Sequence, residues 1–334
     1  MRLRIGVCVR PMFLAGAVIS IFALATAHSQ LLAQAPYPNK PVRLVVPYAP
    51  GGVTDLMGRL LAERLSRILG QQMIVENRPG ASGNIGAQQV ATSQPDGYTL
   101  LLGFDGTLVI NPHVLGNAPF DAVRDFAPIG RIGDSVSILI AYPGINVKTL
   151  RDVIALSKSQ TGGLSYGTSG TGGSMHLAGE LLKQQSGAGL IHVPFKGSAP
   201  ATLAALSGHI PLALVAIGGA QQYIHSGKLI AIAVPSAKRS RNLPDVPTFI
   251  ESGVADFNVA SWFGILAPAR TPKSIVDKLN AELNSALSDA EIRERLNLMD
   301  VGATPGTAEV FGEEIRRDLV RYGAIVKAAG IKAN

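Results

Sequence analysis

An α/β protein of two lobes, each built on a mostly parallel sheet with helices on both faces, is what this sequence predicts. Three observations carry that reading. Short apolar runs alternate with helix-period segments along nearly the whole chain, the pattern of βα units whose sheets are covered on both sides. Two glycine-rich turns, Tyr48-Ala49-Pro50-Gly51-Gly52-Val53-Thr54-Asp55 and Tyr166-Gly167-Thr168-Ser169-Gly170-Thr171-Gly172-Gly173-Ser174-Met175-His176, each follow an apolar run and open a helix, in opposite halves of the chain. At 334 residues, length alone predicts about two domains.

The elements follow in order. Val42 to Val46 reads as a strand. Asp55 to Leu69 reads as a helix with Leu56, Leu60, Leu61, Leu65, Ile68 and Leu69 on one face and Gly70 as its stop. Met73–Val75 is a second strand, a helix lies near Asn84–Ser93, and Tyr98–Leu102 is a third strand. The rhythm resumes with a helix at Leu150–Ser159, a strand at 164–166, a helix at Ser174–Gln185 and a strand at Leu190–Val193. A helix near Ala199–Ser207, a strand at Leu212–Ile217, a short helix and a strand at Leu229–Val234 complete that half. Phe257 to Ala267 then reads as one long strand or a pair. Helices follow, starting at Thr271-Pro272 as cap and first-turn proline, at the capping box Ser288-x-x-Glu291, and at Thr307. The extended segments 129–141 and 254–266 are the candidates for the chain crossing between lobes. That predicts a discontinuous first lobe, 37–135 plus 258–334, and a continuous second lobe, 136–257.

The N-terminus reads as an export signal. Arg2, Arg4 and Arg10 precede an uncharged apolar stretch, Met12 to Ala27, and Ala25-Thr26-Ala27 offers a cleavage site, with Ala33-Gln34-Ala35 as a later one. Signal peptide 1–27, with cleavage as late as 35, therefore predicts a periplasmic protein; the apolar stretch is shorter than the roughly 20 residues a membrane span needs. The only cysteine, Cys8, lies within that signal, so the mature chain has no disulfide, thiol nucleophile or thiolate metal site. Removing the three signal arginines leaves 27 basic against 23 acidic residues, a mild net charge of +4 that suits a small anionic ligand. Scattered basic residues and few aromatics argue against nucleic acid. The cluster Lys238-Arg239-Ser240-Arg241 reads as a solvated loop.

Catalytic signatures are missing. No G-x-S-x-G elbow occurs, and the histidines at 28, 113, 176, 192, 209 and 225 form no H-E-x-x-H or other tight metal spacing. The sequence thus predicts neither metal, cofactor nor turnover. The two glycine turns instead suit an anion: glycine lets backbone approach a ligand, and a helix start offers unpaired N–H groups and the positive end of its dipole. A periplasmic hydrolase and a ligand-sensing adaptor for a membrane kinase are the competing classes.

Longer motifs then become recognisable. Tyr37-Pro38-x-Lys40-Pro41-Val42-Arg43-Leu44-Val45-Val46-Pro47-Tyr48-Ala49-Pro50-Gly51-Gly52 with Asp55 resembles the first signature of the Bug family, the periplasmic solute-binding proteins of tripartite tricarboxylate transporters. Glu76-Asn77-Arg78-Pro79-Gly80-Ala81, Pro95-Asp96-Gly97-Tyr98-Thr99-Leu100, Gly167-Thr168-Ser169-Gly170, Lys196-Gly197-Ser198-Ala199-Pro200-Ala201, Leu243-Pro244-Asp245-Val246-Pro247-Thr248 and Trp262-Phe263-Gly264 fit the same pattern in order and spacing. The resemblance implies a two-lobed periplasmic-binding-protein (Venus-flytrap) fold that closes as a monomer on an organic carboxylate and serves membrane permease subunits. It also implies that Pro50–Asp55 hold one carboxylate, and that Gly167–Ser174 and Lys196–Ala199 face the ligand's other end.

Among the candidate residues, Tyr48, Pro50, Gly51 and Gly52 belong to the first turn, while Thr54 and Asp55 are weighed between helix capping and contact. Thr168, Ser169, Gly170 and Ser174 belong to the second, with His176 one turn into its helix. Lys196 precedes the helix start Gly197-Ser198-Ala199 and suits a carboxylate counter-charge. After the third strand, Phe104, Asp105 and Leu108 depart from the family's hydroxyl and histidine pattern, and Thr107 is retained. Asp105 brings an unexpected negative charge to an anion site, which puts a plain tricarboxylate in doubt.

Overall fold

The computed structural model describes residues 37–116, 118–255, 257–259 and 261–331, together with Leu3 and Gly6. The export signal otherwise lies outside the described residues. The chain divides between Asn39 and Lys40, and both sheets belong to the unit from Lys40 on.

Strand β1 (Val42–Val46) is followed by α1 (Val53–Leu69), β2 (Met73–Asn77), a tight turn at Ala81–Gly83, α2 (Asn84–Ala91) and β3 (Thr99–Phe104). A wide helical turn, Gly106–Ile110, leads directly into α3 (Asn111–Leu115), a feature that the periodicity does not announce. Then come β4 (Phe126–Ser135), β5 (Ser137–Ala141), α4 (Leu150–Ser159), β6 (Leu164–Thr168), α5 (Ser174–Ser186), β7 (Leu190–Pro194), α6 (Ser198–Leu206), β8 (Leu212–Ala216), α7 (Ile217–His225) and β9 (Ile230–Ala233). β10 (Ser261–Pro268), α8 (Lys273–Ser288), α9 (Ala290–Leu298), β11 (Val301–Ala303) and α10 (Ala308–Ala328) complete the chain.

These strands form two mixed sheets, one six-stranded in the order β11-β4-β10-β3-β1-β2 and one five-stranded in the order β7-β6-β8-β5-β9. Strands joined by helices are parallel, as β1 is to β2 and β3, and β6 to β7 and β8. The remaining ladders are antiparallel, which the expectation of mostly parallel sheets does not include. Their cause is the connectivity. The chain leaves the six-stranded sheet after Ser135 and enters the other at Ser137 with no crossover helix, and β10 makes the return. A parallel neighbour needs such a crossover; a strand delivered from the opposite sheet does not.

One core cluster backs the larger sheet, where Trp262, Phe311, Leu266, Phe126 and Tyr322 meet; another, around Ile138, Val215, Ile217 and Ala205, backs the smaller. The buried face of α1 runs through Val53, Met57, Leu60, Leu61 and Leu65, and this turns the expected core residue Leu56 outward to 39% exposure. Two expected caps shift by one residue. Pro272, not Thr271, is the N-cap of α8, and Thr271 Oγ1 instead donates to Pro268 O at 2.8 Å. Asp289, not Ser288, caps α9, accepting from the amides of Glu291 and Ile292, because the carboxylate competes better for them than a hydroxyl that already donates to Asn284 O. Thr307 caps α10 as expected.

Candidate functional site

Three helix N-termini converge on one cavity. β1 delivers the chain to Gly51, whose φ of 84° is a conformation that glycine alone adopts without strain, and then to Gly52, the N-cap of α1. β6 delivers it to Gly173, the N-cap of α5, and β7 to Gly197, the N-cap of α6. None of these three glycine caps supplies a side-chain hydrogen bond to its helix. By contrast α4, α9 and α10 are capped by the side chains of Thr149, Asp289 and Thr307.

The cavity is small, about 10 Å³, roughly the space of one ordered water, and is lined by Tyr48, Ala49, Gly52, Val53, Thr54, Phe104, Ser169, Met175, Ser198 and Phe263. The first or second residue of each of the three helices is in that lining, and no lining residue is charged. Phe104 and Phe263, paired in register on β3 and β10, stack at 5.1 Å, and Tyr48 meets Phe104 edge-on at 5.8 Å. A second, outer chamber of about 250 Å³ shares Tyr48 and Ser169 with the first; Gly80–Gly83, Gly170, Thr171, Pro194, Phe195 and Lys196 complete its walls. The parts carrying the two sheets touch here: Ala49 N–H donates to Lys196 O at 2.9 Å, and the hydroxyls of Ser174 and Ser261 are 2.7 Å apart.

Residues 57–331 match the family model described as the tripartite tricarboxylate transporter family receptor. The chain belongs to that receptor family. BugT of Bordetella pertussis is 33% identical over 319 residues, covering 95% of this chain and 97% of BugT. A Rhodopseudomonas palustris protein solved with adipate superposes with a TM-score of 0.85 at 33% identity, covering 89% of this chain and 99% of that one. MatC from the same species, solved with bound malate, gives 0.83 at 30% identity, with 87% and 100% covered. The receptor has the two-lobed periplasmic-binding-protein fold. Among its described residues no helix is long and apolar enough to cross a membrane.

The receptor's expected site residues fall into separate groups. Tyr48, Gly52, Thr54, Ser169 and Ser198 line the inner cavity; Tyr48, Ser169, Gly170 and Lys196 line the outer one. A second group shapes the loops from behind. Asp55 accepts from Gly51 N–H at 3.0 Å, from Asn77 Nδ2 at 2.9 Å and from Arg59. Burial opposes its charge, but these donors outweigh that and hold its pKa below the usual carboxylate range. It pins the first turn from the third position of α1. Thr168 Oγ1 bonds Gly170 and, at 2.7 Å, His192 Nε2. His176 accepts Gly172 N–H on Nδ1 at 3.0 Å and stacks on His192 at 4.0 Å. Burial lowers His176 from 6.5 to about 4 and His192 from 6.5 to about 3, so both are neutral at pH 7 and the acceptor nitrogen of His176 stays unprotonated. Thr107 and Tyr48 join hydroxyls at 2.7 Å. Gly197 caps α6, Ser174 pairs with Ser261, and Ala199 sits 3.8 Å from where a Cβ on Gly51 would stand. Pro50 and Gly51 are exposed.

Asp105, expected in a ligand-facing loop, is in neither lining. It is wholly buried; one carboxyl oxygen accepts Gly106 N–H at 2.7 Å and Oδ2 has no partner. Burial drives its pKa well above the ordinary 3.8, Gly106 N–H opposes that, and Asp318 adds to the rise. The folded receptor therefore keeps this proton at pH values where the unfolded chain has lost it. The stability it contributes is fully present below pH 3.8 and is lost as pH rises towards the folded pKa. Asp105→Asn, which keeps the acceptor for Gly106, removes that slope. Relative to the variant, the natural chain should lose stability as pH rises above 3.8, by up to about 1.4 kcal/mol per pH unit, read from urea unfolding curves; parallel pH curves for the two proteins would refute the assignment.

Sequence reading misses Ala49, Phe104, Met175 and Phe263 as cavity walls, and the Gly80–Gly83 turn of the outer chamber. The strand-end position of Phe104 and the run Pro79-Gly80-Ala81-Ser82-Gly83 are the signals that could have found them. Their convergence depends on sheet pairing that no local pattern states.

Proposed function

We propose that the mature chain works in the periplasm as a solute-binding protein that holds a small organic carboxylate between its two lobes and presents it to the permease of a tripartite tricarboxylate transporter. On this reading 37–135 with 258–334 form one lobe and 136–257 the other. The observation that carries the proposal is the meeting of three glycine-capped helix starts around a cavity with no charged wall. Such ends present N–H groups and positive dipole ends to an anion. Adipate in one relative and malate in another are consistent with that chemistry.

The magnitudes suffice. Micromolar binding corresponds to about 8 kcal/mol. Hydrogen bonds to a charged group contribute about 1.5–3 kcal/mol each, so roughly three to five of them, less the cost of ordering, reach that range. A ligand touching both lobes favours the closed arrangement because only that arrangement satisfies all its contacts.

A thermal-shift screen of small organic acids at pH 7 tests the proposal. At a concentration about 100 times Kd, binding adds about 2.7 kcal/mol of stability, a clear rise in Tm. At least one carboxylate should produce that rise and be recovered unchanged. No response to any acid, together with turnover of an ester or amide, would overturn it.

A further inference from the structure

A groove of about 530 Å³ opens beside Val136, and no residue of its lining lines the inner cavity or the outer chamber. The larger sheet contributes β11 and Asp134 to it, α9 contributes Arg293, and the loop after β9 of the smaller sheet contributes Lys238, Arg241 and Asn242. Two hydrogen bonds join these walls: the Ser240 hydroxyl donates to Asp300 Oδ2, and Asn242 Nδ2 donates to Asn297 O at 2.7 Å.

The groove is basic. Its walls carry four cations, Lys238, Arg239, Arg241 and Arg293, and two acids, Asp134 and Asp300. Both acids are engaged, Asp134 by Arg131 and the buried Asp300 by Ser240. Arg239 folds back on Glu251 and Pro244 O. Lys238, Arg241 and Arg293 are exposed, and none forms an ion pair with a described residue. Three such cations around one concavity repel one another, and an anion there relieves that repulsion.

The groove also holds a sheet edge. β11 is the outermost strand of the larger sheet and pairs only with β4. Asp300 O accepts Val136 N–H at 3.3 Å and Thr304 N–H donates to Ile132 O at 2.9 Å. By the alternation of an antiparallel ladder, Gly302 also faces β4 while Ala303 turns its N–H and C=O to the outer edge. Among the described residues no hydrogen bond from outside the ladder reaches Ala303. Gly302 beside it is exposed, with nothing within 4 Å of where a Cβ would stand.

We infer that this groove docks an extended acidic segment of a partner protein, with its main chain paired to Ala303 and its carboxylates on Lys238, Arg241 and Arg293. A lipid headgroup or free phosphate answers the cations but has nothing to exchange with a strand edge, so the two features together favour a peptide. The docking surface adds a protein partner to the receptor and does not depend on its ligand.

Fluorescence anisotropy at pH 7 tests this with a labelled hexapeptide of alternating glutamate and threonine, its glutamine counterpart, and the acidic peptide N-methylated along its backbone. The acidic peptide should bind the natural chain. The double variant Lys238→Gln/Arg241→Gln, and separately Arg293→Gln, should each weaken it by at least about tenfold, as charge-assisted contacts imply. These positions are exposed, so circular dichroism should be unchanged. N-methylation should weaken binding by about threefold, the loss of one main-chain hydrogen bond. Absence of binding below about 1 mM overturns the inference, as does equal binding of the glutamine peptide or of the N-methylated one. Phosphatidylglycerol vesicles that bind the natural chain but not the double variant, with no peptide binding, would give the groove to a membrane surface and overturn it too. The thermal-shift response to carboxylates is untouched by each of these failures, so the receptor reading stands or falls separately.

Discussion

Leucine at position 52 is expected to weaken ligand binding by at least about 100-fold while leaving the ligand-free protein folded, since it fills the space that an anion and its hydrogen bonds, worth about 1.5–3 kcal/mol apiece, would take. Gly52 has φ −81° and ψ 167°, which any residue adopts, so the backbone is not strained by a side chain. A Cβ there meets only Ala199 N, at an ordinary 3.7 Å. The rest of a leucine side chain, however, must enter the small cavity of about 10 Å³ that Gly52 lines, or hold the two glycine turns apart. Alanine should lie between the two. The comparison with Gly51 is informative, because at φ 84° any side chain adds strain and confuses loss of binding with loss of fold. Calorimetric titration with the best acid from the screen, together with Tm of the ligand-free variants, reads the outcome. Undiminished affinity in Gly52→Leu would remove the first turn from the site.

The second large effect concerns stability. Trp262, 3% exposed at the start of β10, packs edge-on to Phe311 at 5.2 Å and donates its indole N–H to Asp318 Oδ2 at 2.9 Å. Trp262→Ala opens a cavity in the larger core cluster and takes the indole donor from the buried Asp318 Oδ2, so it should cost about 3–5 kcal/mol. For roughly 300 folded residues, at about 2.1 cal/mol/K each, that is a fall in Tm of roughly 5–8 °C. Trp262→Phe keeps most of the packing and loses the indole donor, which should cost less. Since Trp262 is the only tryptophan, circular dichroism is the proper probe for both variants. An unchanged midpoint in Trp262→Ala would mean that this cluster does not hold the larger sheet to α10.

The βα rhythm is legible directly because each unit carries its own local signals: β-rich apolar runs, helix periodicity and punctuating glycines. Periodicity locates the helix Leu150–Ser159 to the residue, and composition alone singles out the two glycine turns. What escapes depends on contacts between distant residues. The antiparallel ladders arise from chain crossing, which periodicity does not encode. Ser82 sits at a left-handed φ of 56° while Thr107 and Asn111, from other elements, donate to its carbonyl. Asp105 reads as a ligand-facing charge in the sequence, yet tertiary packing buries it. His176 reads as a candidate ligand contact, and its ring instead props the second turn through Gly172. In each case the residue type announces polar chemistry, while its partner, set by the fold, decides whether that chemistry faces a cavity or the protein's own backbone.

Val136 is the whole of the connection between β4 and β5. Its N–H is tied to Asp300 O at 3.3 Å and its carbonyl accepts Ile217 N–H at 3.1 Å. A one-residue tether anchored at both its polar groups has no slack to lengthen. Relative motion of the halves must therefore be a pivot about this pin, with little sliding or extension. Points far from the pin then travel much farther than the pin itself, and they do so as a change of angle.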